Sequence, residues 1–138
     1  MADKTATFSI ALSFPNSAGA VASAPTQVVA VPYQAMTYGE LDIPDAMAAS
    51  EELTISLGGI DTAVTGLVLK NESGQELEIE FGGAAAKSFS LPTGGLMVVA
   101  VPSAPAETPI TALTVTTSAE QDGAGIVKYW AFGDPTGV

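Results

Sequence analysis

The chain has 138 residues, 47% of them hydrophobic, and carries four Lys and no Arg against 15 Asp and Glu, for a net charge of -11. It contains no His and no Cys, so it lacks the commonest general base, the thiolate nucleophile, disulfides, thiolate-bound zinc and the guanidinium clamp for anions. The pI near 4.1 argues against nucleic acid and anionic membranes as partners, because both are held through clustered Lys and Arg.

The length is that of one domain, able to bury roughly 70% of the surface its unfolded chain exposes. No stretch is long enough to span a bilayer: the apolar run from Leu96 to Pro102 falls far short of about 20 residues. The N-terminus reads as a strand and not as a signal sequence. Asp3 sits where a basic region would lie, and Thr5, Thr7, Ser9 and Ser13 alternate with apolar residues.

In chain order, Thr5 to Leu12 alternates as a strand, with Phe8, Ile10 and Leu12 on one face. Pro15 to Thr26, rich in Ala, Ser, Gly and Pro, reads as a loop or an extended arm. Gln27 to Val31 is a short β-branched strand stopped by Pro32, and Gln34 to Ile43 is a strand with a bulge or bend at Gly39. Asp45 to Glu52 is the one helix-like stretch, predicted as a turn or a single helical turn, with Asp45 as its cap. Leu53 to Leu57, Ala63 to Lys70, Glu76 to Phe81 and Lys87 to Leu91 follow as strands, punctuated by Gly58-Gly59, Asn71 to Gly74 and Gly82-Gly83. Glu76 to Phe81 has the sharpest alternation, with Leu77, Ile79 and Phe81 inward and three glutamates outward. Leu96 to Val101, apolar on both faces, is predicted to be central and covered on both sides. Pro102 to Pro109 reads as a linker, Ile110 to Ser118 as a Thr- and Val-rich strand, Gln121-Asp122-Gly123 as a turn, and Ile126 to Phe132 as the closing strand.

Nine or ten short strands without a long helix predict an all-β fold, an antiparallel β-sandwich of jelly-roll type. The division expected is an N-terminal strand and extended arm over residues 1–26 and a sandwich over residues 27–138.

No constellation carries chemistry. Glu76, Glu78 and Glu80 lie two apart on a strand, where side chains share a flat surface and do not converge on a cation. Lys70 or Lys87 is the expected neighbour of that face. Asp42, Asp45, Glu51 and Glu52 match no calcium-loop spacing. The glycine doublets lack the Lys-Ser/Thr of a phosphate loop and read as turns. Ser and Thr abound, yet without His no spacing supplies a nucleophile with its base. A glycosidase or sugar site would have to draw its aromatic platform from Tyr33, Tyr38, Tyr129 and Trp130. No catalytic residue, metal or cofactor is therefore expected. Trp130 reads as a core or inter-subunit anchor.

The order of motifs carries a resemblance. Asp42-Ile43-Pro44-Asp45-Ala46 leads into Leu57-Gly58-Gly59-Ile60. Then come Leu67-Val68-Leu69-Lys70-Asn71, Phe89-Ser90-Leu91-Pro92-Thr93-Gly94-Gly95, Ile110 to Val115 and Tyr129-Trp130-Ala131-Phe132-Gly133-Asp134. This order, over about two thirds of the chain, resembles the small β-sandwich virion proteins encoded among tailed-phage structural genes, in particular capsid decoration (cement) proteins. The resemblance implies a non-enzymatic protein on the outer capsid surface of the virion. Such a protein binds the major capsid protein and stabilises the head by bridging capsomers. It supplies no functional site. A mean hydropathy of +0.37 in so acidic a chain adds the expectation of buried inter-subunit surface, hence a homo-oligomer, with a trimer expected. The contact residues expected are Phe8, Phe14 and Pro15, together with Trp130. Two alternatives remain: another tailed-phage structural subunit (neck, baseplate or fibre base), and a carbohydrate- or receptor-binding sandwich module.

Overall fold

The computed structural model describes residues 4–15, 17–58, 60, 63–82, 87–100, 112–117 and 119–134. The predicted linker from Pro102 to Pro109, the N-terminal Asp3, and Gly59 and Gly83 of the doublets lie outside these residues.

Ten strands form three antiparallel sheets, and no helix occurs among the described residues. Strands β1 (Lys4–Pro15) and β2 (Val21–Tyr33) make a long hairpin of their own. Strands β3 (Ala35–Ile43), β5 (Ala63–Glu72), β8 (Leu96–Ala100) and β10 (Gly125–Asp134) make one sheet, in the order β3-β10-β5-β8. Strands β4 (Glu52–Ile55), β6 (Leu77–Gly82), β7 (Lys87–Leu91) and β9 (Ala112–Thr117) make the other, in the order β4-β9-β6-β7. Pairing is nested about the β6-β7 hairpin: outside it β5 pairs with β8, β4 with β9 and β3 with β10.

The two four-stranded sheets pack face to face because each strand alternates. Leu67 and Leu69 of β5, Val127 and Ala131 of β10, Leu77 and Ile79 of β6 and Leu113 and Val115 of β9 point inward and are fully buried. Ile43, Met47, Leu57 and Ile60 close the ends of this core. A buried polar knot fastens one end. Asn71 Nδ2 donates to the carbonyls of Leu91 (2.8 Å) and Gln75 (3.0 Å), and Asn71 Oδ1 accepts from Ser73 N (2.9 Å) and Ser73 Oγ (2.7 Å). Asn71 belongs to β5 and Leu91 to β7, so one carboxamide ties the two sheets together.

Four local readings of the sequence are corrected. Val21 to Thr26, read as loop or arm, is the first half of β2. Its small residues lie opposite bulky ones, Ala22 opposite Phe14 and Ala24 opposite Leu12, and that cross-strand fit overrides weak strand propensity. Strand β2 also runs through Pro32, which its free edge allows. Gly39 holds regular register with Tyr129 and makes no bulge; a Cβ there would lie 2.9 Å from the Tyr129 hydroxyl, so the glycine makes room for that ring. Asp45 to Glu52 takes the first of its two expected forms, turns, and makes no helical turn. Ala46 and Ser50 have φ of 58° and 67°, outside the right-handed helical region, and Asp45 Oδ1 accepts from Gly123 N (2.9 Å) across the chain.

The fourth correction bears on function. Strand β8, predicted to be central, is an edge strand, and its outward residue Leu96 is 60% exposed. Its second apolar face belongs to the outside of the molecule.

Candidate docking surface

The outer faces of the two sheets differ in kind. On the β4-β9-β6-β7 sheet the outward rows read Glu52, Thr116, Glu78, Ser90 and Thr54, Thr114, Glu80, Ser88. This is a solvated Thr, Ser and Glu surface. Lys70 does not accompany it: that side chain belongs to the other sheet, and its Nζ donates to Gly94 O at 2.7 Å. On the β3-β10-β5-β8 sheet the central outward row reads Tyr38, Trp130, Val68, Val98. Met36 and Phe132 lie in the next row, and Leu96 ends the opposite one beyond Glu40, Lys128 and Lys70. Tyr38 is 68% and Trp130 38% exposed. Trp130 is thus no core residue but part of an open apolar sheet face. The Lys128–Glu72 ion pair (3.3 Å) at its border is exposed and contributes little to stability.

The hairpin sits on this same face. Alternation puts Phe8, Val29, Val31 and Tyr33 on its underside, and the β1-β2 register puts Ile10, Leu12 and Phe14 on the same side farther out. At the base the underside is docked. Phe8 and Tyr33 meet Phe132 edge to face, with ring centroids 5.7 and 5.1 Å apart. Gly66 is what lets Phe8 approach, since a Cβ there would lie 2.8 Å from its ring. Val31 is fully buried, and Thr65 Oγ1 lies 3.4 Å from Pro32 O and 3.3 Å from Phe132 O. Beyond the base the underside is open among the described residues: Leu12 is 59% and Phe14 49% exposed. The topside carries Thr5, Thr7, Ser9 and Ser13, with Val21 and Val28 exposed among them.

Hairpin and sheet face together bound an open cleft of about 520 Å³, lined by Phe8 and Ile10 from the hairpin and by Val68, Leu96, Val98, Trp130 and Phe132 from the sheet. Among the four residues expected as contacts, Phe8 and Trp130 line this one cleft, while Phe14 and Pro15 lie at the far end of the hairpin. Leu96 and Val98 escaped the sequence reading, and Tyr38 entered it only as one of four aromatics open to a sugar site. Their alternation was visible, but which side of an apolar strand stays uncovered is set by strand order. From Thr5 to Gly39 the chain has no Asp, Glu or Lys, so the hairpin is a charge-free element on a strongly acidic protein.

Among the described residues no three acidic side chains are grouped so as to hold a metal ion. The arrangement offers apolar area, two exposed aromatic rings and free strand edges, which is what association uses. No family model matches the chain, and no curated protein matches it.

Proposed function

We propose that this protein is a structural, non-enzymatic component of a virus particle: a decoration protein of jelly-roll type that binds the major capsid protein on the outer head surface and bridges capsomers. The observation that carries the reading is the contrast between the two outer faces. One is a wet glutamate surface suited to face solvent. The other carries an apolar row, bordered by Glu40, Lys128 and Lys70, around a projecting hairpin without charged residues from Thr5 to Tyr33, larger than single exposed apolar residues would require. The jelly-roll reading draws support from the orders β3-β10-β5-β8 and β4-β9-β6-β7 with nested pairing. The hairpin topside and tip, with Val21, Val28 and Pro15, are the shell contact. The acidic far side keeps decorated particles apart by like-charge repulsion.

Electron cryomicroscopy of virions that encode the chain tests this. Many copies at regular positions on the outer shell, hairpin inward and glutamate face outward, are expected. A few copies at the neck, baseplate or fibre base would make it another structural subunit, and absence from particles would remove the virion role. A second reading rests on the exposed Tyr38–Trp130 pair beside Glu40, an aromatic platform of the kind sugars stack on. A glycan array without hits sinks it.

A further inference from the structure

Among the described residues nothing covers the underside of the hairpin overhang or the apolar row of the β3-β10-β5-β8 sheet, and one open cleft between Ile10 and Trp130, Val68 and Val98 joins them. We propose that a second copy of the chain covers them. The overhang of one copy, with Ile10, Leu12 and Phe14 facing down, lies across the Tyr38, Trp130, Val68, Val98 row of its neighbour. The inference rests on the docking-side reading for its choice of face and not on the virion role.

Three observations select a second copy. The first is area. A large side chain about half exposed presents on the order of 100 Å². Ile10, Leu12 and Phe14 with Met36, Tyr38, Leu96, Val98 and Trp130 then present about 800 Å² on each chain; a reciprocal pair buries all of it in one interface, the usual share of each partner, and a ring divides it between two contacts.

The second is charge. Two chains of net charge -11 repel wherever carboxylates approach within a Debye length of about 8 Å. The stretch from Thr5 to Gly39, free of Asp, Glu and Lys, is where an identical acidic chain can make contact.

The third is shape. The overhang is a two-stranded ridge about 10 Å across by strand spacing, and an isolated two-stranded hairpin is marginal in water. The chain therefore carries both an uncovered apolar ridge and an uncovered apolar cleft. Because ridge and cleft are different patches, the contact closes either as a reciprocal pair or as a ring.

The test measures the mass of the full chain by sedimentation and light scattering, up to about 100 µM, at about 0.15 M and about 1 M salt. Association is expected, unchanged or tighter at high salt because repulsion is screened. Leu12→Glu disrupts the ridge and Tyr38→Glu the exposed end of the apolar row beside the cleft. Both side chains are mostly exposed, so circular dichroism and melting of the monomer are expected to stay unchanged. Each variant alone is expected to weaken association by about 30-fold or more. Mixed, the two are expected to regain association, since L12E offers an intact cleft and Y38E an intact ridge. If L12E misfolds, Phe14→Ser replaces it in the same mixing experiment.

A wild-type chain that stays monomeric throughout overturns the second copy as occupant. Association untouched by either variant overturns the surface. Failure of the mixture to associate overturns the ridge-in-cleft contact. Particle occupancy is read separately with Val28→Glu on the topside, so a chain that self-associates but is absent from virions loses the virion role and keeps this contact.

Discussion

Replacing Asn71 by Ala is expected to be the most damaging single change to a polar residue. The side chain is fully buried and makes four hydrogen bonds, two donated to the carbonyls of Leu91 and Gln75 and two accepted from Ser73. Ser73 Oγ keeps one alternative acceptor, Gln75 O at 3.0 Å. Ser73 N, on a residue only 3% exposed, loses its acceptor. At about 1 kcal/mol net per bond, with an orphaned buried donor at the upper end of the range, the loss is about 3–4 kcal/mol. That is a large fraction of the 5–15 kcal/mol that holds a typical domain folded. It corresponds to a melting temperature lower by about 10–15 °C, or a urea midpoint lower by about 2 M. The assay is urea and thermal unfolding followed by circular dichroism at one fixed protein concentration, because self-association moves both midpoints. Two companions locate the effect. Ser73→Ala removes only the hydroxyl bonds and is expected to cost about 1 kcal/mol. Asn71→Asp keeps the acceptor for Ser73 but turns a carboxylate oxygen toward two carbonyls, and at neutral pH is expected to be at least as unstable as N71A. A cost for N71A no larger than that for S73A would refute the idea that this carboxamide is the tie between the sheets.

Phe8→Ala is expected to free the hairpin without melting the sandwich. It removes the ring that fills the space over Gly66 and meets Phe132, so amide exchange should rise along β1 and β2 while β5 and β10 keep their protection. Equal loss of protection in all four strands would show that the hairpin is not a separable element. Gln121→Met is expected to be tolerated within about 1 kcal/mol. Gln121 is buried, its Oε1 has no partner among the described residues, and its one side-chain bond, Nε2 to Thr117 Oγ1, is long at 3.3 Å. The backbone bonds of Gln121 with Ala46 and Met47 survive the change. A loss of more than about 2 kcal/mol in a urea titration would show that the carboxamide has a role these contacts do not explain.

The strands were legible wherever one face is wet. Glu76 to Phe81 names its own inner and outer sides, because a charge cannot be buried unpaired and a period of two residues is all a strand allows. The turns were legible for a similar reason at Asn71 to Gly74 and at Pro92 to Gly95. Local pattern misled where neighbours decide. Leu96 to Ala100 is apolar on both sides, and that pattern fits a covered central strand and an edge strand with an open apolar face equally well. Val21 to Thr26 is rich in Ala, Ser and Pro, yet it pairs with β1, with Ala22 opposite Phe14. The Asp45 to Glu52 stretch left a turn and a helical turn open by composition; its local bonds, Met47 N to Pro44 O and Glu51 N to Ala48 O, make turns, while Ala46 N and Ser50 N bond Gln121 O and Thr117 O far away in the chain.

The sequence by itself determined that the fold is all-β, that most of its elements lie where alternation places them, and that imidazole, thiol and guanidinium groups are missing. These follow from residue type and from periods of two residues, which are local properties. Only the tertiary structure decided which apolar faces are covered. Strand order put Leu96 and Val98 on an edge and set Tyr38, Trp130 and Val68 in one outward row, and the β1-β2 register carried Leu12 and Phe14 past the sheet that holds Phe8. Burial belongs to the neighbours a strand acquires, and those neighbours are set by pairings between residues far apart in the chain.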